Sequence, residues 1–263
     1  MAKKAPLRND PREAFGAYHQ GGETSRHTRR RLMKIQWLGH SAFKAMLGSA
    51  QILFDPYLNG NPKFSGNFAE VVSGTTHVLM THAHNDHFGD TIEILKQTGA
   101  TLVATYEICS YVSSQYAQAK ICPMNIGGTA RVGALSVTMT RAHHSSSFAA
   151  PDGKIIYGGE PAGLIARADG RSIYHMGDTC SFSDMAFIDE LHNPEIGIVP
   201  IGDWFTMGPR EAALAVNRYF HFKAVIPCHY LTFPMLAQTA DEFVRQVKNV
   251  EVWTPAPMGE RTF

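Results

Sequence analysis

The segment at positions 82–87 constrains this chain more than any other, because it reads H-x-H-x-D-H. Three imidazoles and one carboxylate lie within six residues, and these are the ligands that a borderline divalent ion such as zinc prefers. On a loop that leaves a strand, His82 and His84 can turn one way while Asp86 and His87 reach a second point. The motif therefore predicts two metal ions and metal-assisted hydrolysis.

The composition sets the outer limits of the interpretation. The chain has 263 residues, of which 44% are hydrophobic, enough for one large globular domain or two small ones. Its formal net charge of +1 predicts neither a nucleic acid nor an acidic partner. Residues 1–32 are polar and basic without an apolar period, so we expect a flexible arm there. The folded domain is expected to cover residues 33–263.

The cysteines and the apolar segments indicate in which compartment of the cell the chain is expected. Four scattered cysteines form no C-x-x-C pair, which excludes zinc-finger and thioredoxin patterns and favours reduced thiols in the cytoplasm. No stretch approaches the ~20 apolar residues of a membrane span. Arg29-Arg30-Arg31 resembles a twin-arginine export signal, but the following segment is too short and polar for its apolar part.

Strands and helices alternate twice along the chain. The first run has strands near 33–38, 42–47, 51–54, 78–81 and 101–105, and helices near 90–97 and 106–117. The second has strands near 130–132, 135–142, 154–157, 163–167, 172–175, 196–201, 223–227 and, last, 251–253. Its helices lie near 183–191, from 209, and over 241–248. The segment 144–153 is predicted as a polar loop, and Asp169-Gly170 is typical of a hairpin turn. This order favours an α/β sandwich over a doubly wound sheet.

Further metal ligands are expected where other strands end. Two ions need about three protein ligands each and a bridging group. His143 and His144 close one strand, Asp178 follows a second, and His229 follows a third. A lone His at such a position is more often a surface or core residue, but the four-donor motif reverses that expectation. Spacing alone does not choose between His143 and His144.

Together these residues resemble the metallo-β-lactamase fold, an α/β four-layer αββα sandwich, over residues 33–263. One branch is similar in more detail: predicted metal-dependent hydrolases like L-ascorbate 6-phosphate lactonase. The stretches that carry this resemblance are Leu38–Ser41, Leu53–Pro56, Gly60–Pro62, Thr81–Asp90, Gly159–Gly163, Tyr174–Thr179 and Pro200–Pro209.

The resemblance implies seven ligands for two divalent ions. By this resemblance, the ligands of the first ion are His82, His84 and His144. Those of the second ion are Asp86, His87 and His229. Asp178 bridges the two ions.

The family pattern also selects among the alternatives. Its order of Ala, aromatic, His, small, Ser, Ser falls on residues 142–147, so His144 is the ligand and His143 takes the aromatic position. Diiron members of the fold have a carboxylate where this chain has His84, which favours a Lewis-acid ion. Zn²⁺ is expected first, with Mn²⁺ or Fe²⁺ fitting the same geometry. Ala83 replaces a frequent Gly and leaves less room beside the metals.

The expected chemistry is hydrolysis by a metal-bridging hydroxide. Two ions about 3.5–4 Å apart can hold such a group near neutral pH. It would attack a small ester, a lactone or a phosphorylated metabolite, with Asp86 holding both metal and hydroxide. His175 either protonates the leaving group or supports a ligand through a hydrogen bond. His40 and Asp55 are expected to support the ligands, Asp55 by orienting an imidazole.

Substrate recognition is expected in the segment that precedes a helix at Pro209. The candidate residues are Gly202, Asp203, Trp204, Thr206 and Gly208. The helix N-terminus, with Glu211 in its first turn, would attract an anionic substrate. The alternative is a capping turn that binds no ligand.

Two other functions stay open. A phosphodiesterase acting on RNA or on an N-acyl phospholipid would share the Leu-Gly-His start, and the basic arm favours it slightly. However, neither a nucleic-acid-binding element nor a lipid-binding helix is evident. A metal-binding protein without turnover is the second alternative, which the complete ligand set disfavours. The expected partner is a small molecule, and assembly into a homo-oligomer is compatible with such an enzyme.

Overall fold

The computed structural model describes residues 33–150 and 152–263, so the arm predicted over 1–32 lies outside the described residues. The strands of the described part are β1 (Met33–Trp37), β2 (Phe43–Leu47), β3 (Ala50–Phe54), β4 (His77–Leu79), β5 (Thr101–Thr105), β6 (Lys120–Met124), β7 (Thr129–Val132), β8 (Leu135–Arg141), β9 (Ser147–Ala149), β10 (Ile155–Tyr157), β11 (Ala162–Ala168), β12 (Arg171–His175), β13 (Ile196–Pro200), β14 (Ala224–Cys228), β15 (Glu251–Val252) and β16 (Glu260–Thr262). The helices are α1 (Phe68–Val72), α2 (Asn85–Phe88), α3 (Thr91–Thr98), α4 (Tyr106–Gln115), α5 (Met185–His192), α6 (Pro209–Tyr219) and α7 (Asp241–Gln246).

The two seven-stranded sheets combine antiparallel and parallel pairing in the same way. In the first, of order β16-β1-β2-β3-β4-β5-β6, pairing is antiparallel from β16 to β3 and parallel from β3 to β6. In the second, of order β15-β14-β13-β12-β11-β8-β7, pairing is antiparallel from β7 to β12 and parallel from β12 to β15. Since ligand sites of α/β sheets lie beyond the carboxyl ends of parallel strands, the loops after β4, β12, β13 and β14 are where a site is expected.

The main apolar core contains side chains from both sheets. Strand alternation directs Ile52 and Phe54 of β3 into this core, while Leu53 packs in a second cluster with α3 and α4. Helices α6 and α7 contribute Val216 and Phe243 to the packing around the second sheet. Two sheets with helices outside them confirm the predicted αββα sandwich.

The predicted hairpin is present, and three local predictions are wrong. Asp169 and Gly170 join β11 to β12 with φ values of 52° and 76°, as a tight turn of positive φ requires. The H-x-H-x-D-H motif is not an open loop, because residues 85–88 form the single turn of α2. The loop predicted over 144–153 contains β9, which pairs with β10. The strand at 251–252 is not the last, since β16 pairs with β1. These elements are too short for a hydrophobic period to reveal.

Within residues 33–150 and 152–263, no helix has both the length and the apolar character that crossing a membrane requires.

Candidate metal centre

The predicted ligands come from the ends of four strands in the two sheets. His82 follows β4, His144 follows β8, Asp178 follows β12, and His229 follows β14. A backbone hydrogen bond joins two of these loops: the N–H of Cys180 donates to the carbonyl of His143 at 3.2 Å. The fold thus brings together residues that are far apart in the chain.

Three imidazoles form one group of donors. Nδ1 of His84 lies 3.1 Å from Nε2 of His82 and 3.3 Å from Nε2 of His144. We call these residues the three-imidazole set. His143 does not join them, since its exposed ring lies against Phe182 with centroids 4.7 Å apart. The structure therefore places His144, not its neighbour, beside the motif.

A second group combines a carboxylate with imidazoles. Helix α2 carries Asp86 and His87 on one turn, and His229 approaches from the end of β14. The ligand atoms of Asp86, His87, His229 and His40 all lie within 4.8 Å of one another. We call Asp86, His87 and His229 the mixed set.

Asp178 lies between the two sets. Its Oδ2 is 3.0 Å from Nε2 of His229 and 3.2 Å from Nε2 of His87. The same oxygen is 3.7 Å from Nε2 of His144 and 3.9 Å from Nε2 of His82. One carboxylate oxygen thus faces two imidazoles of each set, which is the position that a bridging ligand requires.

Several of these atoms are buried and make no hydrogen bond of good geometry. Among the described residues, Oδ1 of Asp178, Nε2 of His87 and both ring nitrogens of His229 are buried without a hydrogen bond. Buried polar atoms are nearly always paired, so such a cluster needs an explanation. Ligands ~2.1 Å from one ion lie about 3.0–3.4 Å apart, which matches the separations inside the three-imidazole set and those from Asp178 to His87 and His229. The residues present therefore fit divalent metal ions.

Asp55 fixes the tautomer of one imidazole in each set. Its Oδ2 accepts hydrogen bonds from Nδ1 of His87 at 2.8 Å and from the hydroxyl of Thr81 at 2.5 Å. Because the Thr81 hydroxyl donates to Asp55, it accepts from Nδ1 of His82 at 3.0 Å. Both imidazoles therefore carry a proton on Nδ1, and Nε2 is the atom directed at a metal.

His40 contacts the carboxylate of the mixed set. Its Nε2 lies 3.1 Å from Oδ2 of Asp86, and its Nδ1 lies 3.0 Å from the hydroxyl of Thr232. His40 was predicted from the sequence, but Thr232, which is 192 positions away in the chain, was not. Nor was a role predicted for Ser145, whose hydroxyl is 3.3 Å from Nε2 of His84. The run of serines after His144 was a visible signal for that contact.

His175 has no ring nitrogen open to a substrate. Nε2 donates to the carbonyl of Ser41 at 2.9 Å, and Nδ1 accepts from the N–H of Gly177 at 3.1 Å. The ring is fully buried and stacks on Phe54. Burial also lowers the pKa of His175, which favours its neutral form. Of the two roles considered for His175, the geometry favours support of the turn before Asp178 over proton donation.

The imidazoles of the two sets differ in their protonation. Burial lowers the pKa values of His82, His84 and His144, so the three-imidazole set is neutral. Burial also opposes the charge of His87, but Asp178 and Asp55 outweigh it and raise the pKa of His87 well above its ordinary value. Without a metal ion, His87 therefore holds a proton between two carboxylates.

Asp178 itself stays ionised. Burial alone would raise the pKa of Asp178, but the imidazoles of His229 and His87 hold that pKa well below its ordinary value. Burial has the same opposing effect on Asp86, where the hydrogen bond from His40 lowers the pKa of the carboxyl. Both carboxylates are thus in the form that binds a cation.

The segment 202–208 connects β13 to α6 and lies against the centre. A Cβ on Gly202 would come 2.6 Å from Nδ1 of His229, so only glycine allows this approach. Asp203 and Trp204 have positive φ values of 60° and 53°, a strain typical of functional segments. Trp204 is 72% exposed. Pro209 is the first residue of α6, as predicted.

The remaining candidates of this segment help to hold it in place. The N–H of Thr206 donates to the carbonyl of Asp203 at 3.1 Å, and the N–H of Met207 donates to the carbonyl of Thr179 at 3.0 Å. Gly208 is the N-cap residue of α6. The segment is therefore tied to the residue that follows Asp178.

Ala83 was expected to reduce the room beside the metals. Its side chain is fully buried, and a Cβ on Gly158 would come within 2.3 Å of the Ala83 methyl. The methyl thus lies against a glycine of the neighbouring loop, and Gly158 provides the space that it needs.

Two facing sheets flanked by helices, with a His and Asp cluster at their loop edge, define a metallo-β-lactamase-fold hydrolase. A family model for a beta-lactamase superfamily domain matches residues 50–230. The chain is also 52% identical over 229 residues to a UPF0173 metal-dependent hydrolase from Chelativorans sp., covering 86% of this chain and 97% of that relative. The chain therefore belongs to the UPF0173 metal-dependent hydrolase family of the beta-lactamase superfamily.

Solved structures agree with this assignment. A metallo hydrolase from the hyperthermophilic archaeon Ignicoccus hospitalis is 33% identical, with a TM-score of 0.76, over 88% of this chain and 98% of that one. The metallo-beta-lactamase fold protein YhfI from Bacillus subtilis is 13% identical, with a TM-score of 0.65, over 89% of this chain and 100% of its own. The second likeness shows the shared fold alone.

Proposed function

We propose that the chain is a dinuclear metal hydrolase of a small ester, lactone or phosphorylated metabolite. The three-imidazole set would hold one ion, the mixed set would hold the other, and Asp178 would bridge them. The observation that carries this proposal is the group of buried ligand atoms around Asp178 that make no hydrogen bond to any described residue. When bound, two divalent ions would supply Lewis-acid activation of water and of the scissile group.

Zn²⁺ is the ion that we propose, with Mn²⁺ or Fe²⁺ as alternatives in the same geometry. A set of three imidazoles supports a Lewis-acid ion more than a redox ion. The hydrolase family to which the chain belongs disfavours the alternative of a metal-binding protein without turnover.

The chain's own residues would place the water and exclude bulk solvent. The Asp86 side chain is 35% exposed, whereas those of His87 and Asp178 are almost completely buried. Asp86 is therefore the carboxylate that can face a substrate, and His40 would hold its Oδ2 in position. Asp55 would orient the imidazoles of both sets.

Substrate binding is proposed for Gly202, Asp203, Trp204, Thr206 and Gly208. The contact of Gly202 with His229 and the exposed ring of Trp204 support this assignment. The N-terminus of α6 would favour a negatively charged substrate. The resemblance to L-ascorbate 6-phosphate lactonase supports a phosphorylated lactone as one candidate. A cytoplasmic location is part of this proposal, supported by the four free cysteines.

A panel of substrates tests the proposal. The metal-loaded protein would be assayed with p-nitrophenyl esters, phosphorylated and plain lactones, and bis(p-nitrophenyl) phosphate. We expect turnover of an ester or a lactone, lost in Asp86→Ala and His144→Ala and kept in the control Lys154→Ala, which changes an exposed cation. Turnover of the phosphate diester alone would replace this proposal with the phosphodiesterase alternative.

A further inference from the structure

A cavity outside the metal centre lies between α6 and α7. Its volume is about 770 Å³, within the range of ~300–1,000 Å³ that is typical of small-molecule sites. Asp203 and Gly208 form part of its wall, and Arg210, Arg245 and Lys248 supply three cations. None of the seven proposed metal ligands lines it.

Within the described part of the chain, the three cations of the cavity wall have no carboxylate partner. Over residues 33–150 and 152–263, no ion pair includes Arg210, Arg245 or Lys248. Some other exposed cations do have one: Lys34, for example, is paired with Glu260 at 2.7 Å. The wall of the cavity therefore carries three cations against two carboxylates, which leaves an excess of positive charge.

The two acidic residues in the wall already have local donors. Oε1 of Glu211 accepts hydrogen bonds from the N–H of Ser181 at 2.8 Å and from its hydroxyl at 2.7 Å. Oδ1 of Asp203 accepts from the N–H of Trp204 at 2.9 Å. Neither carboxylate bridges to the three cations, so the cations stay available for a ligand.

The cavity is also held in shape. The side chain of Asn217 in α6 donates to the carbonyl of Gln246 at 2.8 Å and accepts from the N–H of Lys248 at 2.8 Å. These bonds fix the end of α7 against α6. A preformed cavity loses less freedom when it binds a ligand, which favours affinity.

We propose that this cavity binds the phosphate group of a small phosphorylated molecule. Arg210 and Arg245 can form paired N–H bonds with phosphate oxygens, and Lys248 adds a point charge. Anion binding needs no metal ion. Its coupling to hydrolysis rests on the proposed function, because the segment that lines the cavity at Asp203 also packs on His229 through Gly202.

Calorimetric titration with inorganic pyrophosphate tests the cavity on chelator-treated full-length protein, where anions cannot bind to metal ions. We expect saturable binding that weakens about tenfold in Arg210→Gln and again in Arg245→Gln. Arg218→Gln is the matched control, since Arg218 is an exposed arginine of α6 that lies over Tyr219 and outside this cavity. Pyrophosphate binding should be unchanged in this control variant.

Two results would overturn the cavity proposal: no binding by the wild-type chain, or equal weakening in Arg218→Gln and Arg245→Gln. The substrate panel separates this outcome from failure of the proposed function. Pyrophosphate binding that depends on Arg245, without any hydrolysis, would leave the cavity intact and remove the hydrolase proposal. With hydrolysis of a phosphorylated substrate, Arg245→Gln should raise KM about tenfold and keep kcat.

Discussion

The three-imidazole set and the mixed set differ in the burial and in the charged neighbours of their imidazoles. His84 and His144 are half-buried, and the side chain of His84 is supported by the hydroxyl of Ser145. In the mixed set, His87 is fully buried and lies between the carboxylates of Asp55 and Asp178. The difference teaches that the two proposed ions would not be equivalent, because the mixed set is the more highly charged.

The largest effect on metal affinity is expected from a change of Asp55, because this residue supports both sets. Asp55→Asn would remove the acceptor that both Thr81 and His87 use. We expect affinity to fall about 10- to 100-fold for both ions. Thr81→Val would leave His87 supported and weaken only the three-imidazole set. Competition with a metal-binding indicator would measure each step.

Asp189→Asn is the matched control for that experiment. Asp189 is a buried carboxylate that hydrogen-bonds to His221, outside the metal centre. Its replacement should not change metal affinity. If Thr81→Val weakened both ions as much as Asp55→Asn did, the separate support of the two sets would be refuted.

A change of pH should have a smaller effect than these substitutions, and it should affect the affinities of the two ions differently. The raised pKa of His87 means that its proton stabilises the metal-free fold below the unfolded value of about 6.5. That contribution is lost as pH rises through the raised pKa of the folded state. A metal ion must displace this proton, so affinity at the mixed set should rise about tenfold per pH unit until the pH reaches that raised pKa.

The three-imidazole set provides the internal reference for that slope. Burial lowers the pKa values of His82, His84 and His144, so no proton has to leave them near neutral pH. The affinity of its ion should hardly change between pH 6.5 and 8.5. Equal slopes at both ions, measured by calorimetric titration, would contradict the electrostatic difference.

The smallest effect on chemistry is expected for His175, which lies outside both sets. His175→Gln should cost about 1–3 kcal/mol of unfolding free energy, because buried bonds to Ser41 and Gly177 are disturbed. The pH profile of kcat should keep its shape. Denaturant unfolding and a pH series would check both parts. Unchanged stability with loss of the alkaline limb of kcat would make His175 the proton donor instead.

The sequence predicted the parts of the site that depend on local patterns. The motif supplied four donors within six residues, and strand ends pointed to Asp178 and His229. The turn at Asp169-Gly170 and the helix start at Pro209 followed from turn and capping preferences. These features need only neighbouring residues.

Long-range features could not be predicted in this way. The hydroxyl of Thr232 meets His40 across 192 positions, and no spacing rule connects them. Helix α2 has only four residues, too few for a helical period. The cationic cavity depends on how the end of α7 packs on α6 through Asn217. Each of these follows from tertiary packing and not from local preference.

The metal content per chain tests the central claim most directly. Elemental analysis of zinc-loaded, dialysed protein should give two ions in the wild-type chain. It should give one in His144→Ala and one in His229→Ala, which each remove a ligand from a different set. No ion, a single ion in the wild-type chain, or unchanged content in both variants would contradict a centre built from two sets around Asp178.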